Sequence, residues 1–102
     1  MQQKKSSLKR QAGQVARLLK FMANPERLQL LCLLAEKPHN VGELQEEVGL
    51  SQSALSQHLA SLRTHKIVRA EAKGVLRIYQ LSDPKVAEIL KVLHQLYCTK
   101  EK

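Results

Sequence analysis

The sequence predicts a mainly α-helical domain that carries one β-hairpin near its C-terminal end. Apolar residues, chiefly leucine, recur at helical spacing over most of the chain, and a capping residue followed by proline twice marks a helix start. After Ile67 the apolar spacing becomes strand-like. The chain has 102 residues, of which 43% are hydrophobic, and residues 1–102 are therefore expected to form a single folded domain.

The first two helices are predicted over about residues 7–22 and 25–36. Asn24 and Pro25 provide an N-cap and a first-turn proline for the second helix, and Pro38 follows its end. A heptad-like seam on the first helix predicts pairing with another subunit, and its members are Leu8, Ala12, Val15, Leu19 and Met22.

The next two helices are predicted over about residues 41–48 and 52–65. Gly49 ends the third helix and Ser51 caps the fourth. Two helices joined by a tight turn that contains glycine are typical of a helix-turn-helix, here over about residues 41–65.

A hairpin is predicted from two strand-like segments, residues 67–72 and 76–81, with Lys73-Gly74 as the turn. These segments form a wing over about residues 67–81. A last helix is predicted over about residues 84–98. The order of the elements is that of a winged helix-turn-helix.

The charge of the chain favours an anionic partner. Seventeen Lys and Arg residues stand against nine Asp and Glu, which gives a formal net charge of +8 and an isoelectric point near 9.8. Nucleic acid and an anionic membrane both fit this charge. No apolar run approaches the roughly 18 residues that span a bilayer, and the basic N-terminus lacks the apolar segment of a secretory signal. A cytoplasmic protein is expected.

The fourth helix is predicted to read DNA, because its outward face is small, polar and uncharged while leucines occupy the other face. Such side chains hydrogen-bond to base edges, whereas cations around them bind phosphates. Simple solvation of a surface helix is the alternative for these side chains. For His58, a phosphate contact and a half-buried packing role both stay open. The predicted DNA-binding residues are Gln52, Ser53, Ser56, Gln57, His58, Arg63, Lys66, Arg69, Lys73 and Arg77.

Three segments, NPERLQLLCLL, VGELQEEVGLSQSALSQHLASLR and YQLSDPKV, resemble the ArsR/SmtB family of bacterial winged-helix repressors. The resemblance covers about residues 12–98. It implies a homodimer joined mainly by the first and last helices, residues 7–22 and 84–98. It also implies binding to double-stranded operator DNA at an imperfect palindrome, with release by an inducer.

The metal sites of the family are not predicted here. One type of metal sensor in the family has a Cys-x-Cys pair on the third helix, where this chain has Glu43 to Glu47. A second type binds zinc between the last helices, but Lys85 stands where histidine is needed, and Leu96 and Thr99 stand at the later ligand positions. No metal and no cofactor are therefore expected.

Cys32 and Cys98 resemble the thiol pair of the reactive-sulfur and redox-sensing subgroup, the haemolysin-gene activator and biofilm-growth repressor type. That resemblance implies an intrasubunit disulfide or polysulfide bridge that weakens DNA binding, with a low-molecular-weight persulfide or an oxidant as inducer. His94 and Lys100 near Cys98 favour Cys98 as the attacking thiol. Cys32, on an apolar stripe, is the expected resolving thiol with the higher pKa.

Other interpretations stay open from the sequence. A metal can bind through Cys32, Cys98, His94 or His39, or the regulator can lack thiol sensing, with Cys32 serving only as core packing. A winged helix can also bind proteins rather than DNA. A thiol oxidoreductase is disfavoured because no Cys-x-x-Cys motif is present, and no constellation of catalytic residues predicts an enzyme. Direct repression and displacement of another repressor are both possible.

Overall fold

A computed structural model of the chain describes residues 2–98, with side chains from residue 8 onward. The helices and strands in that range are α1 (Gln2–Met22), α2 (Pro25–Glu36), β1 (His39–Asn40), α3 (Val41–Val48), α4 (Gln52–Thr64), β2 (Val68–Lys73), β3 (Leu76–Leu81) and α5 (Pro84–Tyr97). The predicted mainly α fold with a hairpin wing is confirmed. Thr99 and Lys100 lie outside the described residues.

Side-chain caps explain why helices α2 to α5 begin where the sequence predicts. Each capping oxygen accepts a hydrogen bond from an N–H of the first turn that has no partner inside the helix. Asn40 and Glu43 form a reciprocal capping box at α3, with both bonds at 2.9 Å. The other capping bonds run from the backbone N–H of Arg27 to Asn24 (3.0 Å), of Ala54 to Ser51 (3.1 Å) and of Lys85 to Asp83 (2.9 Å).

The start of α1 and the position of the hairpin turn differ from the prediction, whereas α4 and α5 end only one residue before the predicted ends. Helix α1 begins at Gln2 rather than at residue 7, because Gln and Lys are good helix formers and no helix-breaking residue precedes the predicted start. In the hairpin, Lys73 pairs with Leu76, so the turn is Gly74-Val75 and not Lys73-Gly74. Gly74 has a φ of 64°, which suits the first central position of a two-residue turn.

The core is aliphatic and lies where α2 to α5 meet the sheet. Nine of its side chains are less than 2% exposed, namely Leu30, Leu31, Leu44, Leu55, Leu59, Leu62, Ile67, Val86 and Leu90. Three leucines of α4 are among them, so the apolar face of this helix is fixed against the body of the domain. Full burial of each such side chain stabilises the folded domain by about 1.5–3 kcal/mol relative to an exposed side chain.

A short strand that the sequence does not predict joins the wing to the helix-turn-helix. The three strands are ordered β1-β3-β2, and β1 pairs antiparallel with β3 through His39 opposite Tyr79 and Asn40 opposite Ile78. His39 is buried, and its Nδ1 lies 2.7 Å from the carbonyl oxygen of Lys37. A two-residue strand is too short to show an alternating pattern, which is why the sequence gives no signal for it.

Helices α1 and α5 keep apolar side chains exposed. On α1, Leu8 is 70% exposed, while Val15 and Leu19 are about half exposed. Met22, the last member of the predicted seam, is buried in the domain's own core instead. The exposed apolar residues of α5 are Val92, Leu96 and Tyr97.

Candidate DNA-binding surface and thiol pair

The polar face of α4 is exposed as predicted. Gln52, Ser53, Ser56 and Gln57 all lie at the surface. Within the described part of the chain, these four side chains make no hydrogen bond, so their donors and acceptors are available to a ligand. The turn before α4 depends on Gly49, which has a φ of 69° and donates its N–H to the carbonyl oxygen of Gln45 at 2.9 Å.

The predicted phosphate-binding cations surround α4 and extend along the wing. Arg63, Lys66, Arg69, Lys73 and Arg77 are all exposed. Among the described side chains, none of the five forms an ion pair. Lys66 has a φ of 59°, unusual for a residue other than glycine, at the connection from α4 to β2.

The wing divides its three cations between two faces. Side chains alternate along a strand, and residues directly opposite each other in an antiparallel pair share a face. Arg69 and Lys73 therefore share a face of the hairpin. Arg77 pairs with Ala72 and lies on the other face, which is the face of buried Tyr79. The sequence alone does not indicate this division of the three cations.

His58 has partners within the protein. Its Nε2 lies 2.9 Å from Oε1 of Glu26, and the Nε–H of Arg27 donates to its Nδ1 at 3.4 Å. The His58 side chain is 16% exposed. Of the two roles left open for His58, the half-buried packing role accounts for these contacts, and the phosphate contact stays a prediction.

Cys32 and Cys98 line the same open cavity, of about 480 Å³, although they are 66 positions apart in the chain. Cys32 is half-buried on α2, whereas Cys98 is exposed and caps the end of α5. Both are free thiols. Glu36, Glu47 and His94 also line this cavity. Nε2 of His94 lies 3.8 Å from Oε2 of Glu36, so the ring is close to a carboxylate beside the thiols.

The environment of Cys32 disfavours its thiolate. Burial raises the pKa of the Cys32 thiol above its ordinary value, and the negative charges of the Cys98 thiolate and of Glu36 raise it further. This direction agrees with the higher pKa predicted for Cys32 from its place on an apolar stripe.

Metal-ligating side chains do not cluster in the described part of the chain: no group of three or more His, Cys, Asp or Glu there can hold an ion. Lys85, where the zinc sensors need histidine, is exposed. Between residues 2 and 98, no helix is both long enough and apolar enough to cross a membrane.

The fold and the polar, cation-flanked helix define a winged-helix, DNA-binding regulator of transcription. The model of the arsR family of bacterial regulatory proteins matches residues 24–70, and the chain belongs to this family. The predicted family is thereby confirmed.

Three relatives show how far the similarity extends. The transcriptional activator HlyU of Vibrio cholerae is 48% identical over 81 residues, which cover 79% of this chain and 75% of HlyU. The biofilm growth-associated repressor of Xylella fastidiosa is 37% identical over 98 residues, which cover 96% of this chain and 86% of the repressor. The crystal structure of HlyU from Vibrio vulnificus superposes with a TM-score of 0.87 at 42% identity, covering 96% of this chain and all of that one.

Proposed function

We propose that this regulator binds operator DNA as a homodimer and is released when Cys32 and Cys98 become joined. The observation that carries the proposal is the shared cavity: two thiols 66 positions apart line one open site between α2 and the end of α5. A low-molecular-weight persulfide or an oxidant can reach this site because Cys98 is exposed.

DNA recognition is assigned to α4 and the wing. The uncharged face of α4 suits base edges, where Gln pairs well with adenine and Ser tolerates several bases. The exposed cations around it suit phosphates. In a two-fold dimer the two α4 helices enter successive major grooves about 34–36 Å apart, and this symmetry fits the imperfect palindrome expected for the operator.

Dimerisation is assigned to the first and last helices. Leu8, Val15 and Leu19 on α1 and Leu96 and Tyr97 on α5 are exposed apolar side chains, and pairing two subunits removes them from water. The heptad-like spacing on α1 fits a helix-to-helix contact.

The thiol chemistry balances for either inducer. With hydrogen peroxide, the two thiols lose two electrons and two protons to form a disulfide, and the peroxide is reduced to two water molecules. With a persulfide RSSH, the Cys98 thiolate takes the outer sulfur and RSH leaves. Attack by the Cys32 thiolate on Sγ of Cys98 then forms a disulfide and releases hydrogen sulfide. If Cys32 also carries an added sulfur, the same attack leaves a trisulfide bridge.

Bridging is expected to act through the dimer geometry. A bond between Cys32 and Cys98 draws the end of α5 onto α2, and α5 is one of the proposed dimerisation helices. The spacing of the two α4 helices then no longer matches the DNA. A coupling of about 1–3 kcal/mol between the two sites is typical and suffices for regulation.

The test is to reduce the protein, expose it without oxygen to glutathione persulfide and separately to hydrogen peroxide, and measure intact and peptide masses and DNA affinity. We expect a peptide pair joined through Cys32 and Cys98, with added sulfur only after persulfide, together with weaker DNA binding. Absence of any linkage under both conditions contradicts the sensing proposal. If DNA affinity does not fall steeply as the salt concentration rises, the proposal that the protein binds DNA through its cations is contradicted.

A further inference from the structure

A cluster of side chains joins the dimer-facing part of the fold to the DNA-reading helix. Arg27, in the first turn of α2, lies at its centre. Its Nη1–H donates to the carbonyl oxygen of Phe21 at 3.0 Å, and its guanidinium lies 4.1 Å from the centre of the Phe21 ring. Its Nε–H donates to His58 on α4. One side chain therefore contacts the end of α1 and the middle of α4.

The other face of the same cluster reaches the end of α4. The Phe21 ring stacks on the ring of His65 with centroids 4.0 Å apart and an interplanar angle of 26°. His65 is the C-cap of α4. The helix is thus held at His58 in its middle and at His65 at its end by groups that come from α1 and α2.

The contacts of His58 require one tautomer. An arginine N–H can only donate, so Nδ1 of His58 accepts and carries no proton. The ring proton then lies on Nε2, which donates to the carboxylate of Glu26 at 2.9 Å. A neutral ring satisfies both neighbours on α2 at once.

These bonds supply a directional restraint that aliphatic packing does not. Leu55, Leu59 and Leu62 fix which face of α4 is inward, but dispersion contacts are weakly directional and tolerate small rotations. Hydrogen bonds weaken steeply once donor and acceptor are misaligned. His58 directly follows Gln57, so a restraint on its ring also limits rotation of the reading face about the helix axis.

We propose that Arg27 and Glu26 are positioning residues for DNA reading, which act through His58 to fix the rotation of α4. The proposal rests on the proposed reading of base edges by α4. Base contacts depend on exact donor and acceptor placement, whereas phosphate binding by mobile cations does not. The cluster therefore controls sequence specificity more than overall affinity for DNA.

The test compares affinity for two duplexes in fluorescence anisotropy titrations. One duplex is selected from a random library by the wild-type protein, and the other has the same base composition in shuffled order. Arg27→Lys keeps the charge but cannot make the three contacts together. We expect it to weaken binding to the selected duplex about tenfold, the scale of one lost base contact. Binding to the shuffled duplex is expected to stay unchanged.

Two variants of His58 separate positioning from mere packing. His58→Gln keeps an acceptor for Arg27 and a donor for Glu26, so it is expected to preserve the ratio of the two affinities. Loss of the predicted contact between His58 and a phosphate would lower both affinities alike and leave that ratio unchanged. His58→Leu keeps apolar volume but loses both bonds, and it is expected to behave like Arg27→Lys. If His58→Gln discriminates as poorly as His58→Leu, the proposal is overturned.

The double variant decides whether Arg27 acts through His58. Combining Arg27→Lys with His58→Leu is expected to weaken selected-duplex binding no further than either change alone, because both remove one restraint. Additive losses, or equal losses on both duplexes, overturn the proposal and indicate separate DNA contacts or misfolding. If the wild-type protein selects no duplex from the library, the proposed function itself fails, which is a different outcome.

Discussion

The carboxylate of Glu36 on α2 lies 3.8 Å from the ring of His94 on α5, on the rim of the cavity that both cysteines line. The same carboxylate is one of the charges that raise the pKa of the Cys32 thiol. Glu36 thus contacts the neighbouring helix α5 and also influences the reactivity of a thiol on its own helix, α2.

Neutralising Glu36 is expected to make Cys32 more reactive. A nearby negative charge disfavours the thiolate, so Glu36→Gln lowers the pKa of Cys32 and shifts its alkylation profile to lower pH. The rate at a fixed pH below the midpoint is expected to rise, partly offset by the weaker nucleophilicity of a less basic thiolate. The alkylation rate of Cys32 is measured by labelling with iodoacetamide in a Cys98→Ser background, with the reaction followed by mass spectrometry. Glu47→Gln, also at the cavity, is the control and should leave the profile in place.

Removing Cys98 is expected to separate DNA binding from sensing. Cys98 is exposed at the end of α5, so Cys98→Ser leaves the core and α4 intact and preserves the affinity of the reduced protein. Treatment with peroxide or persulfide should weaken wild-type binding by about 5- to 150-fold and the variant not at all. Anisotropy titration before and after treatment measures both. A variant that is still released would refute the thiol pair as the sensor.

The charge on the wing is expected to determine how DNA affinity depends on salt concentration, and not which DNA sequence is preferred. Arg69→Gln removes one exposed cation and should lower DNA affinity evenly across sequences, reducing the salt slope by about one. Glu71, on the same face of β2, gives the matched control. Glu71→Gln should strengthen binding slightly, since it removes repulsion of phosphates. The two variants are expected to change DNA affinity in opposite directions. Changes in the same direction would argue against contact between this face of the wing and DNA.

Two glycine substitutions are expected to act in opposite directions. Gly49→Ala places a side chain at a φ of 69° and costs about 1–2 kcal/mol of unfolding free energy. Gly13 lies inside α1, where an added Cβ meets only Arg17 at 3.8 Å. Gly13→Ala should therefore add about 1 kcal/mol through helix propensity. Urea unfolding measures both changes in the free energy of unfolding when the variants keep the wild-type dependence on urea concentration. Stabilisation by Gly49→Ala would contradict the turn geometry.

Side chains on the inward face of α4 are expected to contribute to the free energy of unfolding, and those on the outward face are not. Leu55 is fully buried, so Leu55→Ala leaves a cavity and lowers the unfolding free energy by about 2–5 kcal/mol. The exposed neighbour Ser56 is the control, and Ser56→Ala should change stability by less than about 0.5 kcal/mol. Thermal and urea unfolding of both variants would show whether this division holds.

The sequence predicts most elements because their signals are local. Caps such as Asn24 and Asp83 are followed at once by proline, so α2 and α5 are easy to place. The offset in the hairpin turn arose because Gly74 fits either two-residue turn, and only the pairing of Lys73 with Leu76 decides between them.

The sequence does not predict the tertiary contacts. Arg27 and His58 are 31 positions apart, and nothing in either local pattern indicates that they meet. The pairing of β1 with β3 likewise depends on packing and not on periodicity. The partial burial of Cys32 followed from its apolar stripe, whereas the cavity it shares with Cys98 required the fold.

The strand order β1-β3-β2 leaves β2 as an outer strand of the sheet. Outer strands expose unpaired N–H and C=O groups, and these can recruit the same strand of a neighbouring molecule into aggregates. Along β2, charged Arg69, Glu71 and Lys73 alternate with small alanines, which offers little apolar surface for such growth. The charges that make the wing basic therefore also protect its open edge from aggregation.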